Sequence, residues 1–191
     1  FVWLGTNRGL FCFDGTFFRK ITHSKNGEFS ALDAGKINDL FLDREKAQLW
    51  LATEAGASLL DLRTETFTDH VFYEKGKPGF TDGECTAVFK DRQGVVWFGV
   101  QGLGLVSFDT AFRYFPNELK KPGDFTGIYQ IAQDASVDSI LWLATGTGLT
   151  RFNKATGAYF FPDRKPPDGH EISLILTALF PTKDKIFLGS T

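Results

Sequence analysis

Three kinds of side chain in this sequence could carry chemistry: carboxylates, imidazoles and thiols. Asp39, Glu84 and Glu171 lie at or near the starts of short apolar segments, and two carboxylates facing one another about 5 to 9 Å apart would suit glycoside hydrolysis. No base or nucleophile recurs beside them at a distinctive spacing. His23, His70 and His170 form no H-x-H or H-E-x-x-H arrangement and do not read as a metal site. Cys12 and Cys85 fall at different places in a repeating pattern, which argues for two partly buried structural thiols and against a disulfide framework or a C-x-x-C ligand pair. Asp14, Asp61, Asp109 and Asn153 do recur at one place in the pattern. Such a side chain bonds to backbone amides two residues on, so these read as turn residues a whole repeat apart, and not as a carboxylate cluster. No catalytic residue, metal or cofactor is assigned.

The elements that position these groups are read from the repeat itself. Trp3, Trp50, Trp97 and Trp142 share one local setting, as in Val2-Trp3-Leu4-Gly5-Thr6 and Leu141-Trp142-Leu143-Ala144-Thr145, and Phe187 returns in it once more. The spacing is about 46 residues, a period that marks a repeat architecture built of short strands. Each unit reads as an antiparallel meander of four strands joined by loops of hairpin length. In the second unit these are 37–42, 49–53, 57–61 and 66–72. Glycines at 9, 56, 104 and 148 sit where a tight turn after the Trp strand needs positive φ. The alternation around each Trp makes it a core residue between sheets and not a sugar-stacking platform.

The fold expected from this pattern is an all-β propeller of four-stranded antiparallel blades. One β-propeller fragment spans 1–191, with a partial blade at 1–21, blades at 37–72, 84–115 and 127–161, and a partial blade at 173–191. The chain opens and stops inside strand segments, so about four blades of a larger ring are expected. Composition fits a folded chain: 42% of residues are hydrophobic, 23% are charged and there are 21 Phe. A net charge of −2 gives no reason to expect nucleic acid, and no run of about 20 apolar residues is present to span a membrane.

The runs Asp91-Arg92-Gln93-Gly94-Val95-Val96-Trp97-Phe98-Gly99, Gly104-Leu105-Val106-Ser107-Phe108-Asp109 and Trp3-Leu4-Gly5-Thr6-Asn7-Arg8-Gly9-Leu10-Phe11-Cys12-Phe13-Asp14 resemble the repeat of the two-component regulator propeller family. The copies are unequal. Ala52 stands for the strand Gly, Val100 for Thr with one residue added before Gly104, and 134–138 for the D-x-x-G turn. The resemblance implies seven-bladed rings, the periplasmic sensor region of a hybrid histidine kinase, an oligosaccharide ligand and a homodimer formed through the parent receptor. It implies a location on the periplasmic or extracellular side of a membrane-anchored protein, with the output domain outside this chain.

Recognition is expected on the long connections near 22–36, 74–83, 117–126 and 163–172, because loops on a rigid scaffold carry binding. The candidates are Arg8, His23, Lys36, Tyr73, Lys75, Lys121, Arg164 and His170. Their cationic character would suit an anionic oligosaccharide. A non-catalytic protein-binding or dimerisation scaffold is the alternative, followed by a propeller-fold glycoside hydrolase or polysaccharide lyase.

Overall fold

The computed structural model describes residues 1–22, 35–70, 83–116, 127–161 and 175–190. They form seventeen strands in five antiparallel sheets. The first sheet holds β1 (Val2–Thr6), β2 (Gly9–Phe13) and β3 (Phe18–Ile21), and the second holds β4 (Ile37–Asp43), β5 (Gln48–Thr53), β6 (Gly56–Asp61) and β7 (Thr66–His70). The third contains β8 (Cys85–Lys90), β9 (Val96–Val100), β10 (Gly104–Phe108) and β11 (Phe112–Pro116). The fourth contains β12 (Ile128–Gln133), β13 (Ile140–Thr145), β14 (Gly148–Asn153) and β15 (Ala158–Phe160), and the fifth pairs β16 (Leu176–Pro181) with β17 (Ile186–Ser190). The chain divides into two compact units, Phe1–Val88 and Phe89–Thr191. No helix among the described residues is long and apolar enough to cross a membrane.

Within each sheet the strands follow chain order, as the short turns require. In the four-stranded sheets the Trp strand is internal and largely covered on both faces: every residue of β9 is buried, as are all but the first of β5. A strand in that position reads as a continuous apolar run and not as an alternation. The turn after it is built by a threonine. Thr6, Thr53 and Thr145 each donate Oγ1–H to the carbonyl of Gly9, Gly56 and Gly148, and each accepts the amide two residues on. Gly9, Gly56 and Gly148 have φ between 104° and 127°. Val100 has no hydroxyl, and there the longer turn closes through a bond from Leu103 N to Val100 O at 3.1 Å. The substitution and the added residue seen in the sequence are therefore one change.

The structure corrects the propeller expectation. The five sheets are separate and open, and none closes or curls into a ring. The 46-residue period encodes the meander through its turns and alternation. Ring closure depends on the angle between successive sheets, which no residue spacing specifies.

Sheets pack where the Trp strand carries a small residue. A Cβ added at Gly99 would lie 2.7 Å from Ile128 Cβ and 3.0 Å from its carbonyl oxygen. Gly5 meets Ile37 in the same way, at 2.6 Å from Cγ2. Where Ala144 holds this position, it packs with Leu176, whose branch lies one carbon further out. Gly99→Ala is therefore expected to destabilise the protein by about 1–3 kcal/mol through overpacking. Adding Ile128→Leu should recover part of the loss, as read from urea unfolding midpoints.

Candidate functional site

The indole of each central strand needs an acceptor once it is buried. In the third sheet Trp97 Nε1 donates to Asp91 Oδ2 at 2.9 Å, six residues earlier. The other carboxylate oxygen accepts the amides of Gln93 and Val95, both at 3.0 Å. In the fourth sheet Trp142 Nε1 donates to Asp134 Oδ2 at 2.7 Å, and Asp134 Oδ1 accepts from Ser136 N and Val137 N. The Asp of the turn thus shapes the loop and holds the Trp.

Lys154 completes the first of these clusters. Its ammonium, itself part-buried, donates to the buried Asp91 Oδ2 at 2.7 Å and to Gln93 Oε1 at 2.5 Å. Burial pushes the Asp91 carboxyl up, but Lys154, the Trp97 indole and the Val95 amide outweigh it and hold it below its usual 3.8. Asp134 behaves alike, with Trp142 and its turn amides offsetting burial. Beside this cluster Trp97, Phe115, Phe152 and Tyr159 meet in tilted and edge-to-face contacts with ring centroids 4.9 to 5.7 Å apart. The Tyr159 hydroxyl donates to Phe115 O at 2.6 Å and accepts Leu105 N at 3.0 Å.

The first unit holds a second polar cluster. Lys36 Nζ lies 3.4 Å from Glu84 Oε1, and Asn38 Nδ2 donates to the same oxygen at 3.1 Å and to Cys85 O at 2.8 Å. Asp39 Oδ1 accepts Leu40 N at 2.8 Å and Oδ2 accepts Val88 N at 3.0 Å. Burial raises the Asp39 carboxyl above 3.8 despite those amides. In the second unit Gln130 makes the matching bond, with its Oε1 accepting Leu179 N at 2.6 Å. Both residues stand at a register shift of the first strand of their sheet. The Cys85 thiol is raised well above its usual range by burial and then by Asp39, which makes it an inert core group.

Of the predicted site residues, the structure describes two. Arg8 is exposed in the β1–β2 turn, and Lys36 precedes β4. Their segments adjoin, since a Cβ at Gly35 would lie 3.7 Å from Asn7 O. His23, Tyr73, Lys75, Lys121, Arg164 and His170 lie outside the described residues. Trp50 and Trp97 are buried, while Trp3 and Trp142 are half-buried. Asp14, Asp61 and Asn153 each accept two backbone amides, two and three residues on. Asp109 accepts those of Thr110 and Ala111.

The carbohydrate-binding expectation is corrected together with the ring. The sheets are separate and open, and the Trp50 and Trp97 indoles are buried in sheet packing. Of the carboxylates that might have acted as an acid and base pair, both Asp39 oxygens hold backbone amides and Glu84 Oε1 holds Lys36 and Asn38, while Glu171 lies outside the described residues. Among the described residues no group of three or more His, Cys, Asp or Glu could hold a metal. The sequence pattern alone does not reveal the bond from the Trp97 indole to Asp91. The signal was present: an Asp also precedes Trp50 and Trp142 by seven and eight residues, at Asp43 and Asp134.

Comparison with known proteins places the fold. No protein-family model and no curated protein matches the chain. The chain is similar to the extracellular domain of a protein assigned as a hybrid two-component system from B. thetaiotaomicron, with a TM-score of 0.75 and 18% identity over 98% of this chain and 26% of that one. A second such domain from the same organism gives 0.72 and 16% over 98% and 24%. Catalytically inactive virginiamycin B lyase from Staphylococcus aureus gives 0.60 and 13% over 97% and 64%. The chain therefore spans about a quarter of the two extracellular domains. These likenesses establish a shared sheet architecture.

Two outcomes are expected on mutation. Asp91→Ala leaves a part-buried ammonium and a buried indole N–H without their shared acceptor and should cost about 2–4 kcal/mol in chemical unfolding. The two buried carboxylates should respond to acid with opposite signs. Asp91 stabilises fully above 3.8, and that contribution is lost as pH falls through its lowered folded value. Asp39 costs stability above its raised folded value, and the cost is relieved as pH falls towards 3.8. Relative to the parent, Asp91→Asn should flatten the acid loss of stability, and Asp39→Asn should steepen it. Urea midpoints measured between pH 7 and pH 3 check both.

Proposed function

We propose that this chain is a ligand-sensing segment of the periplasmic or extracellular part of a membrane-anchored signalling receptor. It is non-catalytic and passes the ligand-bound state to an output domain outside the chain. The observation that carries the reading is the likeness to two extracellular domains of proteins assigned as hybrid two-component systems, each over 98% of this chain. The commitment of Asp39, Glu84, Asp91 and Asp134 to structural hydrogen bonds supports a binding role over a catalytic one. Arg8 and Lys36, on adjoining exposed segments, remain candidates for ligand contact.

A specific observation favours a second reading, a protein-binding or dimerisation scaffold. Phe17 and Phe18 at the first sheet and Phe180 and Phe187 in the fifth are all more than half exposed. Exposed apolar patches of this kind mark association surfaces.

The test is a transcriptional reporter driven by the parent receptor. Deleting residues 1–191 should abolish induction by the activating stimulus while leaving the receptor in the membrane. An undiminished induced response in the deletion would reject the sensing role. Retained ligand binding with loss of dimers on size-exclusion light scattering would favour the scaffold.

A further inference from the structure

One position beside the Trp strand changes character from sheet to sheet. Strand register pairs Trp50 with Leu59, Trp97 with Ser107 and Trp142 with Arg151. Residues paired in this way are neighbours on one face of a sheet. The third sheet therefore has a short hydroxyl where the second and fourth carry long side chains. A groove of about 410 Å³ opens there in the second unit, within the range of small-molecule sites, roughly 300–1,000 Å³. All of its lining residues fall between 91 and 155, on two four-stranded sheets and their turns. Val95, Phe115 and Ala155 give it apolar walls, and Ser107, Lys154 and Arg113 supply hydrogen-bond donors.

Donors and acceptors around the groove do not balance. Ser107 is only 5% exposed, and its hydroxyl has no hydrogen-bond partner among the described residues, where a buried polar group ordinarily has one. Lys154 carries three N–H donors and uses two, on Asp91 and Gln93. Arg113 makes one contact, to Asp109 at 3.3 Å, and its side chain is 69% exposed, which leaves guanidinium donors over. The acceptors beside Lys154 are used up. Asp91 Oδ1 takes two backbone amides and Oδ2 takes the Trp97 indole as well as Lys154, while Gln93 Oε1 takes Lys154 and Gln133. The two remaining acids are each held by an arginine, Asp109 by Arg113 and Asp138 by Arg92 at 2.7 Å. What the groove lacks is an acceptor, and its acids leave no uncompensated negative charge to repel one.

We infer that this groove binds a small monocarboxylate with an apolar body. The carboxylate accepts from the Ser107 hydroxyl and from the remaining Lys154 N–H, in charge-assisted bonds, with the Arg113 guanidinium at the rim. The apolar body lies against Val95 and Phe115. The site stands on the groove itself and does not require the signalling role.

Titration of the isotope-labelled full chain with benzoate tests it, with benzamide as the neutral comparison and the NMR signal of the Trp97 indole N–H as the readout. That N–H shares its acceptor with Lys154 and so reports a charge arriving at the ammonium. A saturable shift with a Kd on the order of 1 mM or tighter is expected, and benzamide should bind at least about tenfold more weakly, a difference of about 1.4 kcal/mol. Ser107→Leu, which copies the second sheet, should abolish the shift. Ser107→Ala should weaken benzoate about tenfold, the scale of one hydrogen bond to a charged group. Its urea midpoint should stay at the parent value, because the hydroxyl holds nothing within the protein; a lower midpoint would give that hydroxyl a structural role and overturn the inference. Arg113→Gln should weaken binding about two- to fivefold and reduce its salt dependence. Absence of a saturable shift, equal affinity for benzamide, or parent-like affinity in Ser107→Leu would each overturn the inference. Should Ser107→Leu fail to fold, Ser107→Ala decides, and unchanged affinity overturns it. Loss of the carboxylate site leaves the reporter test of sensing untouched, and the reverse also holds.

Discussion

A buried indole N–H must find an acceptor, and most of the local architecture follows from how this chain supplies one. An unpaired donor in the interior costs about 1–3 kcal/mol, so a central strand carrying Trp is tolerable only with a carboxylate or carbonyl nearby. Asp91 and Asp134 meet the need from the turn ahead of the strand. The same carboxylate also holds that turn's amides, so one side chain couples turn shape to the placement of the central strand. The separation is six residues in one sheet and eight in the other, and the longer turn still returns its Asp to the indole. The acceptor is kept while the loop between is free to vary.

The packing between sheets obeys a second constraint, close approach. Gly5 and Gly99 admit Ile37 and Ile128 onto the Trp strand. At the edge of each first strand, Asp39 and Gln130 reach the backbone of the next sheet's first strand at Val88 and Leu179. An ionised carboxylate and a neutral amide perform the same bond at equivalent places. What the position requires is an acceptor oxygen of sufficient reach, and the charge on Asp39 is a cost carried in one copy only.

Much of the sheet order could be read from the sequence because the repeat is written in turn chemistry. Gly9, Gly56 and Gly148 adopt the positive φ their spacing implied, and the strands around Trp50, Trp97 and Trp142 fall in chain order within their sheets. The residue added after Val100 lies in a turn that closes through the Leu103 N bond to Val100 O where the other copies use a Thr hydroxyl. Ring closure was beyond reach, since inter-sheet angles arise from the sum of many side-chain contacts and leave no mark at a fixed spacing. The Asp–Trp bond was missed because six- and eight-residue separations look unrelated until the turn between them is folded.

These observations bear on why such a scaffold suits recognition more than catalysis. Catalysis needs an acid or base whose proton is free to move and whose oxygens face a reacting atom. Here the buried carboxylates are the groups that hold the sheets: Asp91 is shared by an indole, an ammonium and two amides, and Asp39 by two amides. Diverting either one to a substrate would release a structural donor into the core. Recognition makes no such demand, because side chains on turns and connections can change without releasing a donor that the sheets depend on.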